Sequence, residues 1–250
     1  MTNNIWKGFK DFIVYDKVQE DEVVTSFYLK AADGTSLPKA IPGQFISVRI
    51  QKGDNEYSRA RQYTLSMDSK EEFYRISVKI EENGDLSKQL CRNIKVGDKI
   101  QATIPMGKFV LKDGNEPVVL IGGGIGITPM LSMAYAAKGT NRQVKLVYST
   151  ANSKYHSFKE ELNKLKNENN IELIQIYTRP LEENKINIDF DVEGRINKEW
   201  IANNLPMNGE FYFCGPIEFM RNIYKSLEEL GVEKSKINFE LFAAGEDITK

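Results

Sequence analysis

Two cysteines and one histidine are all that the 250 residues contain. Cys91 and Cys214 are too few for an iron–sulfur cluster, which usually takes about four thiolates. A lone His156 cannot build a multi-histidine metal site. Neither charge sign is in excess: 34 Lys+Arg stand against 35 Asp+Glu, a net charge of −1. A near-neutral chain has no basic field for nucleic acid. No apolar run approaches the roughly 18 residues that a membrane helix needs. The start, MTNNIWKGFKDFIVY, lacks the apolar core and small-residue cleavage site of an export signal. Few cysteines and no export signal make a reducing cytoplasm the expected compartment. Redox chemistry here must therefore rest on an organic cofactor or a partner. What is present is globular: 41% hydrophobic and 10% aromatic residues.

The hydrophobic period changes near residue 115. Before it, Val23–Leu29, Gln44–Ile50 and Phe73–Ile80 are rich in β-branched and aromatic residues. Turn signals separate them: Asp33-Gly34, Pro42-Gly43, Gly53-Asp54, Asn83-Gly84 and Gly97-Asp98. This predicts an antiparallel Greek-key β-barrel with one helical insert, Asp85–Arg92. After it, strands and helices alternate. Pro117–Ile121, Val144–Tyr148, Ile171–Tyr177, Glu210–Cys214 and Lys236–Leu241 read as strands, and the stretches from Pro129 to Lys138, Phe158 to Lys166 and Ile217 to Leu230 as helices. That order predicts an α/β doubly wound parallel sheet of five strands. Asp113–Pro117 is the natural linker, so the expected domains are 1–113 and 114–250.

Three segments carry chemistry. Ile121-Gly-Gly-Gly-Ile-Gly-Ile-Thr-Pro129 sets four glycines between a buried strand and a helix expected to start at proline. Backbone can approach a phosphate closely there, at the positive end of a helix. No Gly-Lys-Ser/Thr follows, so it is not a P-loop; a tight turn with no ligand is the alternative. Arg61-Gln-Tyr-Thr-Leu-Ser66 offers an arginine for a phosphate, an aromatic face for a flat ring and hydroxyls for ring nitrogens. An ordinary barrel strand explains it equally well. Phe211–Pro216 ends a strand at a Gly-Pro turn, where doubly wound folds bind ligands; Cys214 is otherwise a buried apolar cysteine. His156 reads as a surface residue at a helix start, Cys91 as core, and Trp200 as packing between helix and sheet.

Taken in order, these motifs resemble the ferredoxin–NADP reductase superfamily, and most of all the flavin-containing reductase module of flavohaemoglobins. The resemblance runs end to end, through Trp6–Phe12, Thr25–Leu29, Ile41–Val48, Arg61–Ser66, Tyr74–Lys79, Gly122–Met130, Phe213–Met220 and Phe239–Phe242. It implies an FAD-binding barrel followed by a nicotinamide-binding domain, and an FAD-dependent NAD(P)H oxidoreductase. Arg61 matches the arginine that meets the flavin phosphates, Tyr63 the ring packed against the isoalloxazine, and Thr64 a hydroxyl near flavin N5. Gln62, Ser66 and Phe45 fall among the flavin contacts, Phe45 where the family has a tyrosine. Gly84, Leu86 and Ser87 match the loop that gives backbone N–H groups to the pyrophosphate. Gly123, Gly124, Ile125, Gly126, Ile127, Thr128 and Pro129 match the nicotinamide-dinucleotide phosphate loop. Cys214, Gly215 and Pro216 would lie beside the nicotinamide, while Glu240 and Phe242 match the acidic–x–aromatic ending that covers the flavin. Thr64, Cys214, Glu240 and Phe242 are the expected catalytic set.

No globin and no ferredoxin segment is expected, so the electron acceptor would be a separate haem protein, a ferredoxin-like carrier or a small molecule. Two other readings stay open: a flavin reductase using free flavin as substrate, and an electron-transfer subunit active only in a complex. Ser149–Lys154 has no acid for a ribose 2′-hydroxyl and no arginine for a 2′-phosphate, a weak lean to NADH over NADPH.

Overall fold

The computed structural model describes residues 5–168, 170–242 and 245–249. Residues 1–4, part of the segment read for an export signal, lie outside them. The chain divides into two compact units, 1–111 and 112–250.

The first unit holds β1 (Lys10–Gln19), β2 (Val24–Ala31), β3 (Phe45–Arg49), a short excursion of β4 (Gln51–Gly53) and β5 (Glu56–Tyr57), β6 (Arg61–Thr64), β7 (Tyr74–Lys79), α1 (Asp85–Asn93) and β8 (Lys99–Ala102). Six of the strands form one antiparallel sheet in the order β6-β3-β8-β1-β2-β7. A bridge between Leu65 and Ile76 joins its two edges, and the Ser66 N–H donates to the Arg75 carbonyl at 2.9 Å. The sheet is thus a barrel, with no free edge at that point. Alternate residues line its core: Phe27 and Leu29, Ile46 and Val48, Ile76 and Val78. Each such side chain contributes about 1.5–3 kcal/mol on burial. Leu86 and Leu90 of α1 enter the same core. Strands β1 and β8 escape the sequence reading because their outward positions are charged or polar.

The second unit holds β9 (Val118–Gly123), α2 (Ile127–Ala137), β10 (Val144–Thr150), α3 (Lys159–Leu165), β11 (Ile171–Tyr177), β12 (Val192–Glu193), α4 (Lys198–Asn204), β13 (Glu210–Cys214), α5 (Ile217–Glu229) and β14 (Ile237–Phe239). The sheet is wholly parallel, in the order β12-β11-β10-β9-β13-β14. It has six strands, not five; β12 is two residues long and shows no periodicity to read. The chain runs outward from β9 to β12, then returns to the other side of β9 as β13. The ends of β9 and β13 therefore flank the switch point where such sheets bind ligands.

Two expectations are corrected in this unit, on Pro129 and His156, and the setting of Asp113–Pro117 is added. Helix α2 begins at Ile127, so Pro129 is its third residue; the first turn tolerates it because its N–H groups have no partner within the helix. His156 is not at the surface but buried. Its Nδ1 is 2.7 Å from the Tyr177 hydroxyl, and its ring meets Tyr148 and Tyr177 edge-on. The loop after β10 folds back onto the sheet because Thr150 Oγ1 donates to the Tyr155 carbonyl at 2.7 Å and Phe158 turns left-handed, at φ 60°. Burial pushes the imidazole down to about 4, with Lys159 adding to the effect. Finally, Asp113–Pro117 is held against the second unit. Arg142 donates to the Lys112 carbonyl at 2.6 Å and to the Glu116 carbonyl at 2.8 Å. The Lys112 N–H donates to the Tyr212 hydroxyl at 3.1 Å.

Candidate functional site

In the first unit, β6 lies antiparallel to β3, pairing Phe45 with Thr64, Ile46 with Tyr63, Ser47 with Gln62 and Val48 with Arg61. Arg61 and Tyr63 therefore share the face of Ile46 and Val48, and Thr64 and Gln62 the opposite face with Phe45. Tyr63 is half-buried against the barrel core, and burial, with the nearby Cys91, raises its phenol. Arg61 is exposed; its guanidinium donates to the Ala60 carbonyl at 3.2 Å and has no carboxylate partner among the described residues. Gln62 is exposed too. Thr64 is buried, and its hydroxyl makes no hydrogen bond among the described residues. Phe45 is half-buried, bridged to Met106, with its ring about Gly107.

Ser66 is placed differently from Arg61 and Gln62. It is fully buried, its hydroxyl 2.9 Å from that of Ser77 and accepting from Arg75 Nε at 3.2 Å. The Arg75 guanidinium also donates to the Ser66 carbonyl. Closure of the barrel at Leu65 carries Ser66 into the wall, where its hydroxyl serves Arg75 and Ser77.

Helix α1 starts at Asp85 with Gly84 as its N-cap and no side-chain cap. A Cβ on Gly84 would collide with Ser87 Oγ and approach Glu81 Cβ to 3.0 Å. Ser87 Oγ accepts the Glu81 N–H at 3.2 Å, and Leu86 is in the core. The first-turn amides of this helix thus stay available to an anion.

In the second unit, Gly123 ends β9, Gly124–Gly126 form a single 3-10 turn, and Ile127, Thr128 and Pro129 open α2. Gly126 is obligatory: a Cβ there would run into the Cys214 carbonyl and the Gly215 nitrogen. The Thr128 hydroxyl donates to the Ile125 carbonyl at 3.0 Å and braces the turn. Across it, Cys214 ends β13, and Pro216 is the N-cap of α5, also without a side-chain cap. Two uncapped helix starts, α2 and α5, therefore meet at the switch point. Cys214 is buried, and burial with the nearby Glu240 keeps its thiol protonated. Burial pushes the Glu240 carboxyl up to about 7, and its Oε2 has no hydrogen-bond partner among the described residues. Phe242 is half-exposed.

Known proteins carry the same two units. The oxidoreductase FAD-binding domain family matches residues 12–111, and the oxidoreductase NAD-binding domain family residues 120–225. The FAD/NAD-binding domain of the nitric oxide dioxygenase of Vibrio cholerae O1 biovar El Tor superposes with a TM-score of 0.83 at 34% identity, covering 93% of this chain and 98% of that one. The chain belongs to the flavohaemoglobin-type FAD/NAD-binding reductases. The flavohemoprotein of Bacillus cereus (strain ATCC 10987 / NRS 248) is 41% identical over 247 residues, 95% of this chain but 61% of that protein. The Malassezia yamatoensis flavohemoglobin, solved with bound FAD and heme, gives a TM-score of 0.81 at 26% identity over 94% of this chain and 60% of its own. The chain thus spans about three-fifths of the length of the flavohemoproteins it matches.

FAD and a nicotinamide dinucleotide are accordingly its cofactor and its coenzyme, and the residues present fit both. Among the described residues Arg61 has no internal acid and the first turn of α1 has no side-chain cap, and the Gly126 turn has no room for a side chain. Two features escaped the sequence reading. The Arg179 N–H donates to the Ala151 carbonyl at 2.9 Å, which brings an exposed arginine beside the segment after β10. Lys52 Nζ lies 2.8 Å from Asp85 Oδ2. Both join residues far apart in sequence, so only strand pairing and chain path reveal them.

Proposed function

We propose that this chain oxidises NAD(P)H, takes the electrons onto FAD and passes them to a haem protein, a ferredoxin-like carrier or a small acceptor. The observation that carries this reading is the co-occurrence in one chain of two differently built phosphate sites. One is an exposed arginine strand by a helix start, the other a glycine turn at a sheet switch point. When bound, FAD accepts a hydride from the reduced nicotinamide and releases electrons singly. The chain's own residues bind, orient and hold protons. The Gly123–Pro129 turn and the Gly215-Pro216 step take the coenzyme phosphates and nicotinamide end. The Cys214 thiol, neutral at pH 7, packs against the ring edge, and the Glu240 carboxyl beside it holds a proton near that edge. Phe242 moves aside to admit the coenzyme.

Coenzyme choice follows from charge at the end of β10. Ser149–Lys154 has no acid for a ribose 2′-hydroxyl and no arginine for a 2′-phosphate, so this segment leans only weakly to NADH. Arg179, exposed beside Ala151, offers a guanidinium to a 2′-phosphate, so NADPH is accepted as well as NADH. The matching haem-containing flavohemoglobin favours a haem acceptor, whether on the same polypeptide or another. The test is anaerobic mixing of the purified yellow protein with NADH, followed by addition of a haem protein or dye. Bleaching of the flavin and its recovery with the acceptor support the reading. A desalted protein that is colourless and takes up no FAD overturns it, and one that turns over only with added free flavin favours a flavin reductase.

A further inference from the structure

Lys52 sits on the β4–β5 excursion, and its ammonium is 2.8 Å from Asp85 Oδ2. Asp85 is the first residue of α1, where a carboxylate complements the positive end of the helix. Asp85 Oδ1 also accepts from Gln89 Nε2, one turn on, which fixes the carboxylate on the outside of the helix start. A second cation stands in the same unit. The Leu65–Ile76 bridge and the Ser66–Arg75 hydrogen bond join the end of β6, which begins at Arg61, to β7, the strand that precedes Gly84. Glu81, just before that glycine, has its own partner in Lys79 at 3.6 Å. Arg61 has no carboxylate partner among the described residues.

We propose that Lys52 is a phosphate ligand for FAD and that Asp85 is its internal competitor, holding the lysine at the helix start and yielding it to the pyrophosphate. This rests on the reading of the first unit as an FAD site. A pyrophosphate on the first-turn amides of α1 brings two negative charges beside Asp85, and like charges at that separation repel. The lysine stem is flexible and its ammonium unforked, so it turns from carboxylate to phosphate without moving the backbone. Arg61 supplies the fixed charge of the site, Lys52 the adjustable one. The Asp85 charge opposes FAD, and the Lys52 charge favours it. Riboflavin, which has no phosphate, is indifferent to both.

The experiment is a titration of the apoprotein with FAD, and separately with riboflavin, read by quenching of flavin fluorescence. Lys52→Ala weakens FAD about tenfold, as expected for loss of one charge-assisted phosphate contact. Lys52→Arg retains most of the affinity. Asp85→Asn tightens FAD several-fold, and Lys52→Ala with Asp85→Asn returns it towards wild type. The Lys52→Ala effect shrinks between ~0.05 and ~0.5 M salt, because the contact is partly exposed. Riboflavin affinity is the same throughout, and circular dichroism confirms that each variant is folded. The proposal is overturned if Asp85→Asn leaves FAD affinity unchanged or lowers it, or if Lys52→Ala weakens riboflavin as much as FAD. A wild-type apoprotein that binds no FAD sinks the flavoprotein reading as well; wild-type binding with indifferent variants sinks only the role of Lys52.

Discussion

On the function proposed here, the barrel unit and the nucleotide unit would meet phosphate in opposite ways. In the barrel the candidates are side chains: Arg61 stands exposed at the start of β6, and Lys52 reaches the first residue of α1. In the nucleotide unit, Ile121–Met130 contains no charged residue at all. There its backbone amides and two uncapped helix starts would do the work. A side-chain site tolerates substitution in steps, because each charge contributes separately. A backbone site is close to all-or-none, because the turn either fits against its neighbour or does not. Each variant below tests whether that contrast holds.

The largest effect is expected at Gly126. Alanine there would drive a Cβ into the Cys214 carbonyl and the Gly215 nitrogen, both backbone atoms that cannot step aside. Gly126→Ala should destabilise the second unit by about 3 kcal/mol or more and reduce NADH oxidation by over ~100-fold. FAD affinity should stay at the wild-type value. Differential scanning calorimetry with a parallel FAD titration checks both. A variant that loses FAD to the same degree breaks the contrast.

Arg61 comes next. Replacing it by alanine removes a guanidinium that has no carboxylate partner among the described residues, so folding should be unaffected. FAD should bind roughly 30-fold more weakly, the cost of one bidentate phosphate contact. Lysine should recover only part of this, since it lacks the planar fork. Coenzyme affinity, measured by isothermal titration with NAD⁺, should not move.

The same contrast decides what the sequence reveals. The glycine turn was legible because a buried apolar run, a cluster of glycines and a helix start follow one another without a gap. Arg61 and Tyr63 were legible as residue types, and the pairing of β6 with β3 sorts them onto faces. The burial of Ser66 is not legible, because alternation along the strand says nothing about where the barrel closes; Arg75 and Ser77 claim its hydroxyl. His156 was misread for a similar reason. Tyr148 and Tyr177, from two neighbouring strands, form its surroundings. Strand β12 has two residues and no pattern. The Lys52–Asp85 pair spans 33 positions and depends on the path of a surface excursion.

A pH scan separates the units again. Burial holds the Glu240 carboxyl at about 7 against an ordinary 4.5. Its folded-state value is raised, so between pH 4.5 and 7 the unfolded chain ionises first and the folded state loses stability as pH rises. Above 7 the loss is complete and constant. Glu240→Gln should therefore match wild type near pH 4 and exceed it at pH 8 by on the order of 2 kcal/mol. The arginine and lysine of the barrel site keep their charge across this range, so FAD affinity should show no matching step. Urea unfolding at several pH values, followed by tryptophan fluorescence, gives the curve. A flat difference between wild type and variant would mean that the Glu240 carboxyl titrates alike in the folded and unfolded chain.

The smallest expected effect probes where side-chain reading ends within the barrel site itself. Thr64 is buried opposite Phe45, with a hydroxyl that makes no hydrogen bond among the described residues. Serine keeps that hydroxyl and valine keeps the shape without it. If the hydroxyl meets the flavin ring, Thr64→Val should shift the flavin midpoint potential by roughly 20 mV, the equivalent of about 1 kcal/mol for a two-electron couple. Thr64→Ser should leave the potential where it is, and both variants should bind FAD as wild type does, because the phosphates carry the affinity. Spectroelectrochemical titration distinguishes the three proteins. Equal potentials would assign Thr64 to the barrel wall with Ser66. The side-chain site would then shrink to its phosphate end, where Arg61 and Lys52 stand, and the flavin ring would be held by shape alone.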